Sequence, residues 1–222
     1  MQVQYCEFPD DVYFDVESDV WLKPLPDNSA RMGITTILSF LAGHVEKINL
    51  KTSLSEARQG QSVATIESGK YFGAIRSPVR AKIHTFNQRV EVAPRLVNDS
   101  PYEEGWIAEF EDIDEASLPT SLLRGKVAAS SLDARINSLK IKCFKRLPNN
   151  QIISVGVECS ATLANLNEVL SKAPVGEVVH VVSDDPFAEI EMIRWEDQTK
   201  HQLLETRRER NLSHFLVEKR HA

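Results

Sequence analysis

The chain has 222 residues, 42% of them hydrophobic and 26% charged, with a formal net charge of −6 at pH 7. That length holds one large domain or two small ones, and the composition is that of a globular protein. The sequence has no apolar run of bilayer length, so a transmembrane helix is excluded, and the acidic balance argues against a nucleic-acid partner, whose phosphates need a basic surface.

Taken in order, Met1-Gln2-Val3-Gln4-Tyr5-Cys6-Glu7 lacks the basic and apolar regions of a signal peptide, so none is expected there. Tyr13-Phe14 and Val20-Trp21-Leu22 are strand candidates, separated from the next element by the Pro24 and Pro26 turn. Gly33-Ile34-Thr35 leads into a short helix over 37–42 that Gly43 ends, and residues 45–50 alternate as a half-buried strand. Ser62-Val63-Ala64-Thr65-Ile66 is rich in β-formers, and Ala74-Ile75 restarts a strand before Ser77-Pro78 stops it. Between them Glu67-Ser68-Gly69-Lys70 reads as a hairpin turn, with Gly69 free to take a positive φ and Gly73 relaxing the re-entry into the strand. An ammonium on such a turn is solvated and open to a modifying enzyme. Residues 79–86 alternate as another strand, 90–106 are loop-like, and a last strand is expected over 106–110.

These blocks carry a resemblance. Glu67-Ser68-Gly69-Lys70 with Ser77-Pro78 seven residues on resembles the lipoylation hairpin of the glycine cleavage H-protein family. Gly33-Ile34-Thr35 with Gly43, Gly60 ten residues before Lys70, and Leu96-Val97-Asn98-Asp99-Ser100-Pro101-Tyr102-Glu103-Glu104-Gly105-Trp106 resemble further blocks of that family, in register over about residues 15 to 112. The resemblance implies a β barrel-sandwich and lipoic acid in amide linkage on Lys70, with Glu67, Ser68 and Gly69 as its recognition context. It also implies a lipoate-attaching enzyme and glycine-cleavage-like enzymes as partners. Two departures stand out: Asp19-Val20-Trp21 replaces the usual His-Glu-Trp, and Ala81 replaces a glycine.

Glu111-Asp112-Ile113-Asp114-Glu115 is an acidic break, followed by a helical stretch over 117–137 and strand-like runs at 139–147 and 152–157. The domain boundary is placed near residue 130, giving an H-protein-like lipoyl domain over 1–130 and a second domain over 131–222 with its core at about 150–220. The second reads β-α-β-α-β-β as a two-layer sandwich, so the fold class expected is α+β with two domains. Gly156-Val157-Glu158-Cys159, Asp184-Asp185-Pro186 and His201-Gln202-Leu203-Leu204-Glu205 resemble the TusA-type sulfur-carrier family, which passes sulfur as a persulfide on one cysteine. Cys159-Ser160-Ala161-Thr162 stands where that family has Cys-Pro-x-Pro. Cys159, just before a helix, is the candidate thiol carrier, since helix N–H groups favour a thiolate.

Cys6 and Cys143 are expected as small buried apolar residues with free thiols, which points to a reducing, cytoplasmic setting. The six histidines show no metal-ligand spacing, Arg207-Arg208-Glu209-Arg210 reads as a solvated turn, and no catalytic triad or phosphate loop is present. The charge is uneven: residues 1–120 hold 11 Lys and Arg against 19 Asp and Glu, a net −8, which suits partners with basic docking faces. Two function classes are carried forward. One is a non-enzymatic lipoyl carrier whose Lys70 arm shuttles an aminomethyl or a sulfur cargo between enzymes, including sulfur-oxidising or sulfur-transferring ones. The other is an unmodified interaction or regulatory protein.

Overall fold

The computed structural model describes residues 1–222, which divide into two compact units, Met1–Cys143 and Phe144–Ala222. Unit 1 runs β1 (Gln2–Val3), β2 (Cys6–Glu7), β3 (Tyr13–Asp15), β4 (Val20–Pro24), β5 (Ala30–Ile34), α1 (Thr36–Ala42), β6 (Val45–Leu50), β7 (Glu56–Ala57) and β8 (Ser62–Ser68). It continues through β9 (Phe72–Arg76), β10 (Ala81–Phe86), α2 (Arg89–Val92), α3 (Leu96–Asp99), β11 (Ala108–Glu111), β12 (Leu123–Arg124) and α4 (Ala129–Leu139). An antiparallel seven-stranded sheet has the order β12-β3-β4-β5-β11-β10-β7, and β6-β8-β9 form a separate antiparallel sheet. The barrel-sandwich expected from sequence is therefore not a closed barrel: neither sheet returns to its own first strand.

Alternation explains the main core of this unit. Val20 and Leu22 of β4, Met32 and Ile34 of β5, Ile66 of β8, Ile75 of β9 and Phe110 of β11 are all fully buried in one cluster. Fully burying a side chain of this size is favourable by about 1.5–3 kcal/mol. A second cluster gathers Phe8, Phe14, Trp21 and Ile37 with Leu132 and Ile136 of α4. That packing explains why α4 belongs to unit 1 and why the unit runs to Cys143, past residue 130. The helical stretch expected over 117–137 is confined to α4 and two short 3-10 turns at Glu115–Ser117 and Gly125–Ala128. Lys140 takes a left-handed φ of 53° and ends α4, and residues 140–149 form no strand.

Cys6 and Cys143 are joined in a disulfide across 137 residues of sequence, inside the second cluster. Free thiols at these positions were the wrong expectation. A pairing across such a distance leaves no spacing signal; it comes from burial of β2 and the end of unit 1 against the same aromatic side chains. With the two thiols bonded, these positions no longer point to a reducing setting.

Unit 2 contains β13 (Asn150–Ser154), α5 (Cys159–Lys172), β14 (Val178–Ser183), α6 (Ala188–Thr199), β15 (Gln202–Glu209) and β16 (Leu212–Glu218). Its sheet has the order β13-β14-β16-β15, with β13 and β14 parallel across the α5 crossover. Leu166 and Leu170 of α5, and Ala188, Met192 and Trp195 of α6, bury one helix face against Ile152, Val179, Val181, Phe215 and Val217 of the sheet. Arg207 does not lie in a solvated turn. It is 6% exposed on β15, with its guanidinium 4.4 Å from the centre of the Phe144 ring. No helix of the chain is long and apolar enough to cross a membrane.

Candidate functional site

β8 and β9 pair in the register Glu67↔Phe72 and Ile66↔Gly73, which leaves Gly69 and Lys70 at the tip of the hairpin. The Ser68 N–H donates to the Tyr71 carbonyl at 2.8 Å and closes the turn. Gly69 does not adopt the positive φ expected of it. The turn is held by the Ser68 hydroxyl, which accepts from the backbone N–H groups of Lys70 (3.3 Å) and Tyr71 (3.1 Å). The same hydroxyl donates to the Ala42 carbonyl at 2.6 Å. One side chain thus fixes the turn and ties it to the end of α1, using a carbonyl the helix cannot satisfy itself.

Gly43 completes the seat. It caps α1 with φ 73°, and a Cβ built on it would fall 2.6 Å from Lys70 Cε and 3.3 Å from Nζ. Lys70 therefore lies across bare backbone at the C-terminal end of α1, where the helix dipole favours a cation, and its residue is exposed. Asn98 locks the same corner. Its amide donates to the Gly43 carbonyl (2.9 Å) and Ser39 Oγ (3.0 Å), and its oxygen accepts the Val45 N–H (2.9 Å). Glu46 reaches the turn from β6, 3.5 Å from the position of a Gly69 Cβ.

The remaining sequence blocks buttress this corner from behind. Trp21 lies flat over Gly33, where a Cβ would come within 2.7 Å of the indole, and its Nε1 donates to the Pro101 carbonyl at 3.1 Å. The Tyr102 hydroxyl accepts the Thr36 N–H at 3.0 Å, and burial pushes its pKa well above the usual phenol range. Gly105 packs against Leu96 and Ser100 carbonyls, with no room for a Cβ. At the far end of the hairpin Gly60, with φ 77°, donates to the Ser77 carbonyl at 2.8 Å.

Glu67 is exposed beside the tip. Tyr71 turns inward over Gly73, and burial, with Asp19 adding to it, raises its pKa. Asp19, where the resemblance leads one to look for a histidine, is 4% exposed and takes both Arg135 Nε (3.0 Å) and Nη2 (2.6 Å). Burial raises the Asp19 pKa against the pull of that guanidinium. The partners lie 116 residues apart, so sequence reading missed the pair. It also missed Gly43 as the seat of Lys70 and Asn98 as its lock, although both stand in the matched blocks.

Cys159 lies in a different setting. It is the first residue of α5 rather than a loop residue before it, and it is 9% exposed. Its backbone N–H donates to Asp185 Oδ2 at 3.0 Å. One N–H group of the first turn of α5 is thus already taken by a carboxylate. Burial first, then the charges of Asp185 and Glu191, raise the thiol pKa, the reverse of the lowering expected from a helix N-terminus. No group of His, Cys, Asp and Glu is arranged to hold a metal ion.

The family model described as "Glycine cleavage H-protein" matches residues 12–134. "Probable glycine cleavage system H protein 2" of Sulfurisphaera tokodaii is 37% identical over 147 residues, which span 65% of this chain and 98% of that protein. The protein of the same description from Sulfolobus acidocaldarius is 35% identical over 144 residues, 64% of this chain and 95% of that one. "Glycine cleavage system H protein 2" of Aquifex aeolicus is 30% identical over 138 residues, 62% and 86% of the two chains. A crystal structure of a glycine cleavage system H protein from Mycobacterium marinum superposes with a TM-score of 0.49 at 21% identity, covering 59% of this chain and 99% of that one.

Proposed function

Because the chain belongs to the glycine cleavage H-protein family, we propose that it is a lipoyl carrier whose Lys70 holds lipoic acid in amide linkage. The observation that supports this most is the seat of Lys70: an exposed amine at a hairpin tip, fixed by Ser68 and lying across Gly43. A rigid base with a free amine suits an arm that must visit several enzymes, since only the arm then has to move. Acylation removes the lysine charge and leaves the dithiolane as the reactive end. The chain itself is not an enzyme in this reading; it presents a substrate to a lipoate-attaching enzyme and then to glycine-cleavage-like enzymes that load and unload an aminomethyl group.

A sulfur cargo is the second reading. It is favoured by Cys159 at the end of the parallel β13–β14 pair, where the TusA-type resemblance of residues 131–222 has its persulfide thiol. The raised thiol pKa weighs against handover through that residue.

The test is intact mass after incubation with lipoate, ATP and a lipoate-attaching enzyme. Wild type gains one lipoyl group and Lys70→Arg gains none; equal gain in both, or none in either, contradicts the proposal. Reduced holoprotein offered an aminomethyl donor system or a persulfide donor separates the cargoes by the mass each adds.

A further inference from the structure

Unit 2 carries most of the large apolar side chains that the molecule leaves in water. Phe187 is 66% exposed, Ile190 53% and Ile193 55%. They recur at i, i+3 and i+6 at the start and along α6, on the side away from the buried Ala188, Met192 and Trp195. A helix that is apolar on both sides is not explained by its own core. Val155 and Val157, 52% and 40% exposed, lie at the same end of the unit. There the Gly156 N–H donates to Asp184 Oδ1 (2.8 Å), the Cys159 N–H to Asp185, and the Phe187 N–H to Asp185 Oδ1 (2.8 Å), so the two segments are tied side by side.

Carboxylates outnumber cations around these side chains. Glu158 and Asp197 are exposed, Asp184 and Asp185 are partly so, and the cation Arg194 is already paired with Glu191 at 2.7 Å. An acidic rim around apolar side chains selects its occupant. Two copies meeting through this face would set carboxylates against carboxylates, and an anionic membrane surface would be repelled.

We propose that this face of α6 and the 155–157 turn is a docking surface for a protein partner that presents apolar side chains ringed by lysine and arginine. Apolar contact at the centre supplies affinity, and the acidic rim steers the partner and sets its orientation. The surface belongs to unit 2 and Lys70 to unit 1, and the proposal does not depend on the modification of Lys70.

The experiment titrates the full chain with an amphipathic helical peptide of about 18 residues, leucines on one side and lysines flanking them, against the same peptide with glutamates in place of lysines. The lysine peptide is expected to bind, more weakly as salt rises, and the glutamate peptide not to bind. Phe187→Ser/Ile190→Ser is expected to weaken binding about tenfold or more, with far-ultraviolet circular dichroism unchanged. Glu158→Lys/Asp197→Lys, which leaves the apolar side chains in place, is expected to weaken the lysine peptide and strengthen the glutamate peptide. Equal binding of both peptides, binding unmoved by Glu158→Lys/Asp197→Lys, self-association of the chain lost in Phe187→Ser/Ile190→Ser, or binding to phosphatidylglycerol vesicles through these residues would each overturn the proposal.

Discussion

Unit 1 and unit 2 each place a chemically capable side chain just beyond a strand, Lys70 after β8 and Cys159 at the start of the helix that follows β13, and they treat it in opposite ways. Lys70 lies exposed at a tip that Ser68 stitches to α1, across a glycine that keeps its path clear. Cys159 lies 9% exposed at the first turn of α5, with Asp185 on its own N–H and Glu191 near enough to oppose a thiolate. Unit 1 draws most of its apolar side chains into two clusters, the second of them closed by a disulfide, and leaves Phe72 and Val92 exposed singly, while unit 2 leaves Phe187, Ile190 and Ile193 in water along one side of a helix. A turn becomes a presenting site through what surrounds it, and the residue type alone does not decide.

The largest effect should come from the covalent closure of unit 1. Cys6→Ser/Cys143→Ser opens a loop of 137 residues and should destabilise that unit by about 4–5 kcal/mol on loop entropy. Denaturant unfolding should show an earlier transition for unit 1, with the unit 2 transition unmoved; coincident shifts would mean the two units do not unfold separately.

Next comes Ser68→Ala, which removes one donated and two accepted hydrogen bonds at the turn. A loss of about 1–3 kcal/mol is expected in thermal unfolding, together with slower lipoylation. A variant as stable and as readily modified as wild type would show that Ser68 does not hold the turn.

Cys159 offers a pH test. Its thiol pKa is raised, so the thiolate is scarcer at any given pH than for an ordinary cysteine, and alkylation should rise only above the usual free-thiol midpoint of about 8.5. Cys6 and Cys143, already bonded to each other, do not compete in the unreduced protein. A midpoint below that value would restore Cys159 as a candidate carrier of sulfur.

Glu67→Gln should change stability least, within about 0.5 kcal/mol, because the side chain is exposed. Lipoylation should slow, since the carboxylate flanks the lysine where a modifying enzyme must approach. Normal modification with marked unfolding would reverse the assignment.

The elements that meet at the Lys70 corner were legible in the sequence because each is a local feature, whereas the contacts that join them, Ser68 to Ala42 and Asn98 to Gly43, span 26 and 55 residues. Strand alternation, the Gly43 stop to α1 and the hairpin break at 67–71 are all short-range. What was hidden depended on distance or on context. The Cys6–Cys143 bond spans 137 residues and the Asp19–Arg135 pair 116, and neither leaves a spacing signal. Gly69 lacks a positive φ because Ser68 does the work that a left-handed glycine would otherwise do. At Cys159 the helix N-terminus was readable, but the carboxylate of Asp185 that neutralises its effect comes from 26 residues away.

Lys70 as the lipoyl site is tested most directly by a peptide mass map of the protein isolated from its own source. One lipoyl group is expected on the peptide containing Lys70 and none on any other lysine, with Cys159 unmodified. A Lys70 peptide found wholly unmodified, or a lipoyl group on another residue, would contradict that assignment.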